Sequence, residues 1–281
     1  MSMLVLDFDG TMTDAEAEGG PFRAGYLEDI ATLCGADLDE VQALAARFAA
    51  EVAADPQSYG WLFHGHIVAP ATVDPYLRVM PVARKVFDHY GCFMDEGDRT
   101  RLLDGILYKY NYTKTLNVFR EGAGEVLHGL AGTATYIVTN SHTEHVKAKV
   151  ADLGVDWLVE RVHGRAKKYV IEHDFDMVPE AMTVEGLSRP ILLRRANYYR
   201  VLARLLEDNG LDWSELLVVG DIFELDLALP LLMGARVGLV VNDFTPAYER
   251  DYLAAHPRGL LVHDIREIPG LLQGVSAPRP R

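Results

Sequence analysis

Three short stretches of the 281-residue chain place oxygen-bearing side chains directly after an apolar run. The first is Asp7-Phe8-Asp9-Gly10-Thr11, which follows Leu4-Val5-Leu6. At this composition Asp-x-Asp-Gly-Thr is expected about 0.007 times by chance, so the match is informative by itself. One carboxylate at a strand end can act as a nucleophile, the next but one can move a proton, and Gly10 lets the chain turn away. An acidic turn that merely closes a strand is the plainer alternative. The second stretch is Thr139-Asn140-Ser141 after Tyr136-Ile137-Val138. A hydroxyl at a strand end beside a helix N-terminus suits an anionic oxygen, although Ser141 is equally explained as an N-cap with Glu144 completing a capping box. The third is Gly220-Asp221-Ile222-Phe223-Glu224-Leu225-Asp226 after Leu216-Leu217-Val218-Val219. Gly-Asp-x4-Asp is expected about 0.16 times, so it counts only in combination. Hard oxygen ligands on neighbouring strand ends suit Mg²⁺, while a turn residue and a helix N-terminal acid are the alternative for Asp221 and Asp226.

The elements that must position these groups follow from periodicity. After Glu121-Gly122-Ala123-Gly124, helical and strand-like segments alternate: a helix at 123–130, strand 135–139, a helix opened by Ser141, a strand near 158–163, a helix at 196–208, strand 216–219, a helix at 223–233 and strand 236–241. That alternation predicts a parallel sheet, and the doubly apolar strands predict helices on both faces. Residues 24–119 look helical, most clearly at Val41, Leu44, Phe48 and Val52, with Pro70, Pro75 and Pro81 cutting an irregular stretch near 56–81. Residues 167–193 interrupt the rhythm as an extra hairpin or long excursion. The expected architecture is an α/β core of 1–15 and 119–270, an all-helical insert of 16–118 after the first strand, and a loose tail at 271–281. Ligands of such sheets bind outside the carboxyl ends of the strands.

In this order, and each at a strand end, the three stretches resemble motifs I, II and IV of the haloacid dehalogenase (HAD) superfamily. The resemblance covers about 1–15 and 119–270, and 16–118 lies where members carry a helical C1 cap. It implies a Rossmann-like core, Mg²⁺ and an aspartyl-phosphate mechanism. Asp7 would attack phosphorus, and Asp9 would protonate the leaving oxygen and then activate water. Thr139 would hold a phosphoryl oxygen, with Gly10, Thr11, Asn140 and Ser141 as substrate-binding residues. Asp221 would bind Mg²⁺ with Asp7 and the backbone carbonyl of Asp9, and Asp226 would support that site. The family places a motif III Lys at or before the helix preceding the third motif, and here no Lys occurs between 169 and 281. Arg195, at the start of the helix before the third motif, is favoured for that role from its distance to Asp221. Lys168 is the rival if residues 169–193 project as a hairpin and return it to the site, and Arg194 adjoins the first choice.

Composition narrows the partners. Lys and Arg total 27 against 41 Asp and Glu, a net charge of −14, which disfavours nucleic acid and anionic membranes. Two cysteines, the absence of a signal-like start and the absence of an 18-residue apolar run lead to the expectation of a cytoplasmic protein. His64-Gly65-His66 and the His142/His145 pair have metal-like spacing but no evident third ligand. Tyr108, Tyr110 and Tyr112 read as packing near the re-entry to the core, and 95–98 as a solvated loop. The expected activity is Mg²⁺-dependent hydrolysis of a small phosphorylated metabolite. A phosphomutase, a phosphonate hydrolase and a non-catalytic HAD-like scaffold are the alternatives. Asp9 argues against dehalogenation, because members with that chemistry lack the second Asp. The substrate and the oligomeric state stay open.

Overall fold

A computed structural model describes residues 2–110 and 116–273. In chain order its elements begin with strand β1 (Met3–Leu6), then helices α1 (Ala15–Glu18), α2 (Gly20–Cys34) and α3 (Leu38–Ala54). Strands β2 (Gly60–Phe63) and β3 (His66–Pro70) follow, then α4 (Pro75–Tyr90), α5 (Glu96–Tyr110) and α6 (Ala123–Gly129). Next come β4 (Ala134–Val138), α7 (Thr143–Asp152), α8 (Asp156–Val159), β5 (Val162–His163), β6 (Ala181–Met182) and β7 (Ile191–Leu192). The chain continues with α9 (Ala196–Asn209), β8 (Leu216–Gly220), a π-helical turn (Phe223–Leu227), α10 (Ala228–Met233), β9 (Arg236–Val240), α11 (Ala247–Ala255), β10 (Gly259–Val262) and α12 (Ile268–Gln273). Two compact units result. One comprises Met1–Thr13, Leu62–Ala69 and Phe119–Arg281; the other comprises Asp14–Trp61 and Pro70–Val118.

The first unit is built on a six-stranded sheet in the order β10-β9-β8-β1-β4-β5, parallel at every pairing. Alternation along β1 puts Met3 and Val5 into the core on one face and Leu4 and Leu6 into the core on the other. All four are buried, as a sheet covered on both sides requires. The chain first builds β4 and β5 on one side of β1, then crosses to β8, β9 and β10 on the other. The strand order therefore reverses at β1, and the crevice outside the carboxyl ends of β1, β4 and β8 is the natural ligand site. The excursion at 167–193 holds the short antiparallel pair of β6 and β7.

The second unit packs α2 to α5 around Phe22, Tyr26, Ile30, Val41, Phe48, Val86, Phe87 and Leu103. In α3, Asp37 caps the helix by accepting from the Asp39 and Glu40 N–H groups, and Val41, Ala45, Phe48 and Val52 form the buried stripe. Several expectations change. The segment 16–118 is not all-helical, because β2 and β3 form a two-stranded sheet joined by His64 and Gly65 at φ 49° and 81°. Two successive left-handed residues are what a tight two-residue hairpin needs, and a His at the first of them gives little warning in sequence. Within that hairpin, 62–69 cluster with the first unit rather than the second. Pro81 sits inside α4 instead of ending it. The buried stripe of Val79, Val82, Ala83, Val86 and Phe87 outweighs the one lost N–H donor. The 95–98 run opens α5, with the Asp98 N–H donating to the Asp95 side chain. Of the expected tail, 271–273 belong to α12, while 274–281 and Tyr112 lie outside the described residues.

Candidate active site

Asp7 is held by the sheet itself, because its N–H donates to the Val219 carbonyl at 2.8 Å as one more rung beyond β1. The turn that follows depends on Gly10, at φ 81°, where a Cβ would lie 2.1 Å from Asp221 Oδ2. Any side chain there would drive Asp221 away from β1. The Thr11 hydroxyl lies between the two carboxylates, 3.4 Å from Asp7 Oδ2 and 3.3 Å from Asp221 Oδ1. At the end of β8, a Cβ on Gly220 would lie 2.5 Å from Asp226 Cβ, so the turn again closes only over glycine. Asp226 sits in the π-helical turn, its Oδ2 accepting from the Ile222 N–H at 3.1 Å and its carbonyl accepting from the Tyr198 hydroxyl at 2.8 Å. Single π turns are frequent at functional sites. Asp7, Asp221 and Asp226 are all buried, and each offers a carboxylate oxygen within 4.8 Å of the others.

Lys168 completes the cluster. Its Nζ lies 2.7 Å from Asp7 Oδ1 and 2.8 Å from Asp226 Oδ1, and the residue is 1% exposed. The loop after β5 turns back toward β4 through Arg165 and Lys167, both in the left-handed region at φ 55° and 50°. It is fixed there by the Arg165 N–H on the Ser141 carbonyl, the Ala166 N–H on the Thr139 carbonyl and the Lys168 N–H on Asn140 Oδ1. Burial opposes the ammonium charge, but Asp226 and Asp7 outweigh it and hold Lys168 above its ordinary value. Burial pushes the Asp7 carboxyl up to about 7, with Lys168 opposing and Asp226 and Asp9 adding to the rise. The preference for Arg195 is corrected by this geometry. Arg195 is fully buried and donates to the carbonyls of Leu192, Val68 and Lys168. Burial draws its guanidinium down to about 10, so it keeps its charge while facing backbone rather than the carboxylates. Arg194 donates to the His173 carbonyl.

The remaining expected residues separate. Asp9 lies beside Thr139, whose hydroxyl is 3.4 Å from Asp9 Oδ2, but its carboxylate is not in the cluster of three. Asn140 accepts the Lys168 N–H at its Oδ1, so the side chain also fixes the Lys168 loop while its Nδ2 donors take no part in that bond. Ser141 is not the helix cap: α7 starts two residues later behind an extended His142, no side-chain cap forms, and the Ser141 N–H donates to Thr139 Oγ1. His142 stacks on His145 and pairs with Arg165, and among the described residues neither that pair nor His64/His66 belongs to a metal-type cluster. Sequence reasoning missed Lys149, 3.4 Å from Asp9 Oδ1, and Arg120, which donates twice to the Gly10 carbonyl. Lys149 follows the buried Val146 by three residues, a spacing that puts it near the inward face of α7.

With all three carboxylates ionised, one ammonium leaves two negative charges in excess in a buried site, which a divalent cation would balance while favouring the ionised form of Asp7. The donors are hard oxygens, so the residues present fit Mg²⁺.

Comparison with solved structures agrees on the fold. A haloacid dehalogenase-like hydrolase from Xanthomonas campestris superposes with a TM-score of 0.51 at 16% identity, covering 98% of this chain and 96% of that one. A predicted phosphoglycolate phosphatase from Haemophilus somnus gives 0.53 at 14%, covering 96% and 97%. A magnesium-bound HAD-hydrolase candidate from Bacillus subtilis gives 0.50 at 13%, covering 97% and 98%. No family model matches the sequence, and no curated protein matches it. The fold is therefore that of the HAD-like hydrolases, a Rossmann-like parallel sheet with its acidic motifs at the switch point. Among the described residues no helix is long and apolar enough to cross a membrane.

Proposed function

We infer that the chain is a Mg²⁺-dependent phosphatase acting on a small phosphorylated metabolite through an aspartyl-phosphate on Asp7. The observation that carries the reading is the buried constellation of Asp7, Asp221 and Asp226 with Lys168 bridging two of them. The magnesium bound to the Bacillus subtilis neighbour, and the phosphatase activity predicted for the Haemophilus somnus one, point the same way.

Asp7, Asp221 and Asp226 would hold the cation, which supplies charge neutralisation to the transferring phosphoryl group. An Asp7 oxygen attacks phosphorus, forming one P–O bond as the bond to the leaving oxygen breaks. Asp9 gives that oxygen a proton. Water then attacks the phosphorus of the aspartyl-phosphate, Asp9 takes its proton, and phosphate leaves as the Asp7 carboxylate is restored. The Lys168 ammonium orients Asp7 and offsets charge as it develops on the phosphoryl oxygens. The Thr139 hydroxyl, beside Asp9, is the donor to one of those oxygens. The buried Lys168, 2.7 Å from Asp7 Oδ1 and 2.8 Å from Asp226 Oδ1, supports the enzyme reading over the scaffold alternative.

The test is hydrolysis of an aryl phosphate with Mg²⁺ and with EDTA, followed by phosphate release over sugar, nucleotide, amino-acid and lipid-precursor phosphates. Turnover should require the metal, and Asp7→Asn should lower it by about 1,000-fold or more. Failure of the wild type to turn over any ester with Mg²⁺ would remove the enzyme reading.

A further inference from the structure

The excursion that follows Lys168 reaches the π-helical turn of the site a second time. Between β6 and β7 it brings Arg189 onto Glu224, which lies in the π-helical turn two residues before Asp226. Glu224 is fully buried, and its two oxygens accept from the two Arg189 terminal nitrogens at 2.8 and 2.6 Å. That is the bidentate fork, the geometry in which an Arg fixes both the position and the plane of a carboxylate. Tyr248, on α11, donates to the same Glu224 oxygen at 2.5 Å and lies 3.2 Å from Glu249 Oε1. The other oxygen of the buried Glu249 accepts the Phe223 N–H at 3.2 Å. The turn carrying Asp221 and Asp226 is thus tied from outside at Phe223 and Glu224, while its own bond between Ile222 and Asp226 closes it from within.

Burying two carboxylates and one guanidinium is costly unless the geometry is needed, and a π turn is a rare, weakly self-supporting conformation. We propose that Arg189 is a positioning residue: by clamping Glu224 it holds the 221–226 turn in the shape that lets Asp221 and Asp226 reach one divalent cation together with Asp7. The proposal rests on the metal-site reading above. Groups bonded directly to metal ligands act in this way, and their loss weakens metal affinity by about 10- to 100-fold; Arg189 acts one link further out, through Glu224, so the low end of that range applies.

The experiment measures Mn²⁺ binding to the full chain by electron paramagnetic resonance, with Mg²⁺ competition, well below each variant's unfolding temperature. Arg189→Met and the charge-retaining Arg189→Lys should weaken Mn²⁺ binding by about tenfold or more. Tyr248→Phe, which keeps the ion pair and loses one hydrogen bond, should weaken it less. Arg204→Met, which removes an exposed pair with Asp208 far along α9, should leave it unchanged. If Arg189→Met does not fold, Arg189→Lys and Tyr248→Phe decide. Lowered unfolding temperatures with wild-type Mn²⁺ affinity would make the network structural only and overturn the proposal. A wild type that binds no Mn²⁺ would overturn the metal site itself, a different result from equal binding by wild type and variant.

Discussion

Lys168 and Arg195 are buried cations at the two ends of the long excursion between β5 and α9, and their surroundings assign them different work. The ammonium meets two carboxylates, while the guanidinium meets three backbone carbonyls, one of them that of Lys168 itself. Lys168→Met should therefore lower kcat/KM by about 100- to 1,000-fold through lost stabilisation of developing charge, with the protein still folded in Mg²⁺. Arg195→Met should act first on stability, since each carbonyl left without a donor costs about 1–3 kcal/mol. Arg195→Lys should recover little, because one ammonium cannot span the three acceptors of a planar fork. Steady-state kinetics beside thermal unfolding checks this; equal losses of activity at equal stability would mean neither residue has the role given to it. Choosing between the two by distance along the chain failed for a physical reason. Lys168 reaches Asp7 through left-handed backbone at Arg165 and Lys167 and through a bond to Asn140, none of which a residue type announces.

At the scale of elements, the motif-bearing strands were legible because burial on both faces demands continuous apolar runs. Leu4 to Leu6 and Leu216 to Val219 can be little else. The hairpin of β2 and β3 and the π turn were not, since each depends on local geometry rather than on a period. Ser141 was misread because a capping box is a pattern of types, whereas the first turn of α7 is placed by the loop leaving β4. The π turn also links the site to pH through α11. Burial, with the charge of Glu224, raises Glu249 well above the ordinary carboxylate range. The native state then keeps a proton that the unfolded chain has released, so stability falls as pH rises from the ordinary Glu value toward the raised one. Glu249→Gln offers the same acceptor oxygen to Phe223 without the charge. In EDTA, wild-type stability should decline as pH rises above about 5, by up to about 1.4 kcal/mol per pH unit for this proton, and the variant should lose that part of the slope. Parallel profiles for the two proteins in chemical denaturation would show that Glu249 does not titrate there.

For the whole molecule, the reversal of strand order at β1 gathers groups from three distant parts of the sequence into one crevice, which is why motifs more than 200 residues apart act on one another. The whole chain carries a net charge of −14. On the proposed reading, Mg²⁺ would cancel the two excess negative charges of ionised Asp7, Asp221 and Asp226 with Lys168, so a phosphate ester would meet a near-neutral centre within a negative molecule. Long-range forces then oppose its approach, and contact forces hold it once it arrives. Salt weakens the first far more than the second, since the Debye length shrinks from roughly 30 Å at 0.01 M to about 8 Å at 0.15 M. At constant, saturating free Mg²⁺, kcat/KM for a dianionic phosphate ester should therefore rise about twofold across that range, with the change carried by KM. Steady-state rates in sodium chloride at fixed pH measure it. A fall with salt would instead mean that cations at the rim, Lys149 and Arg120 foremost, dominate the approach and that the bulk charge is irrelevant to it.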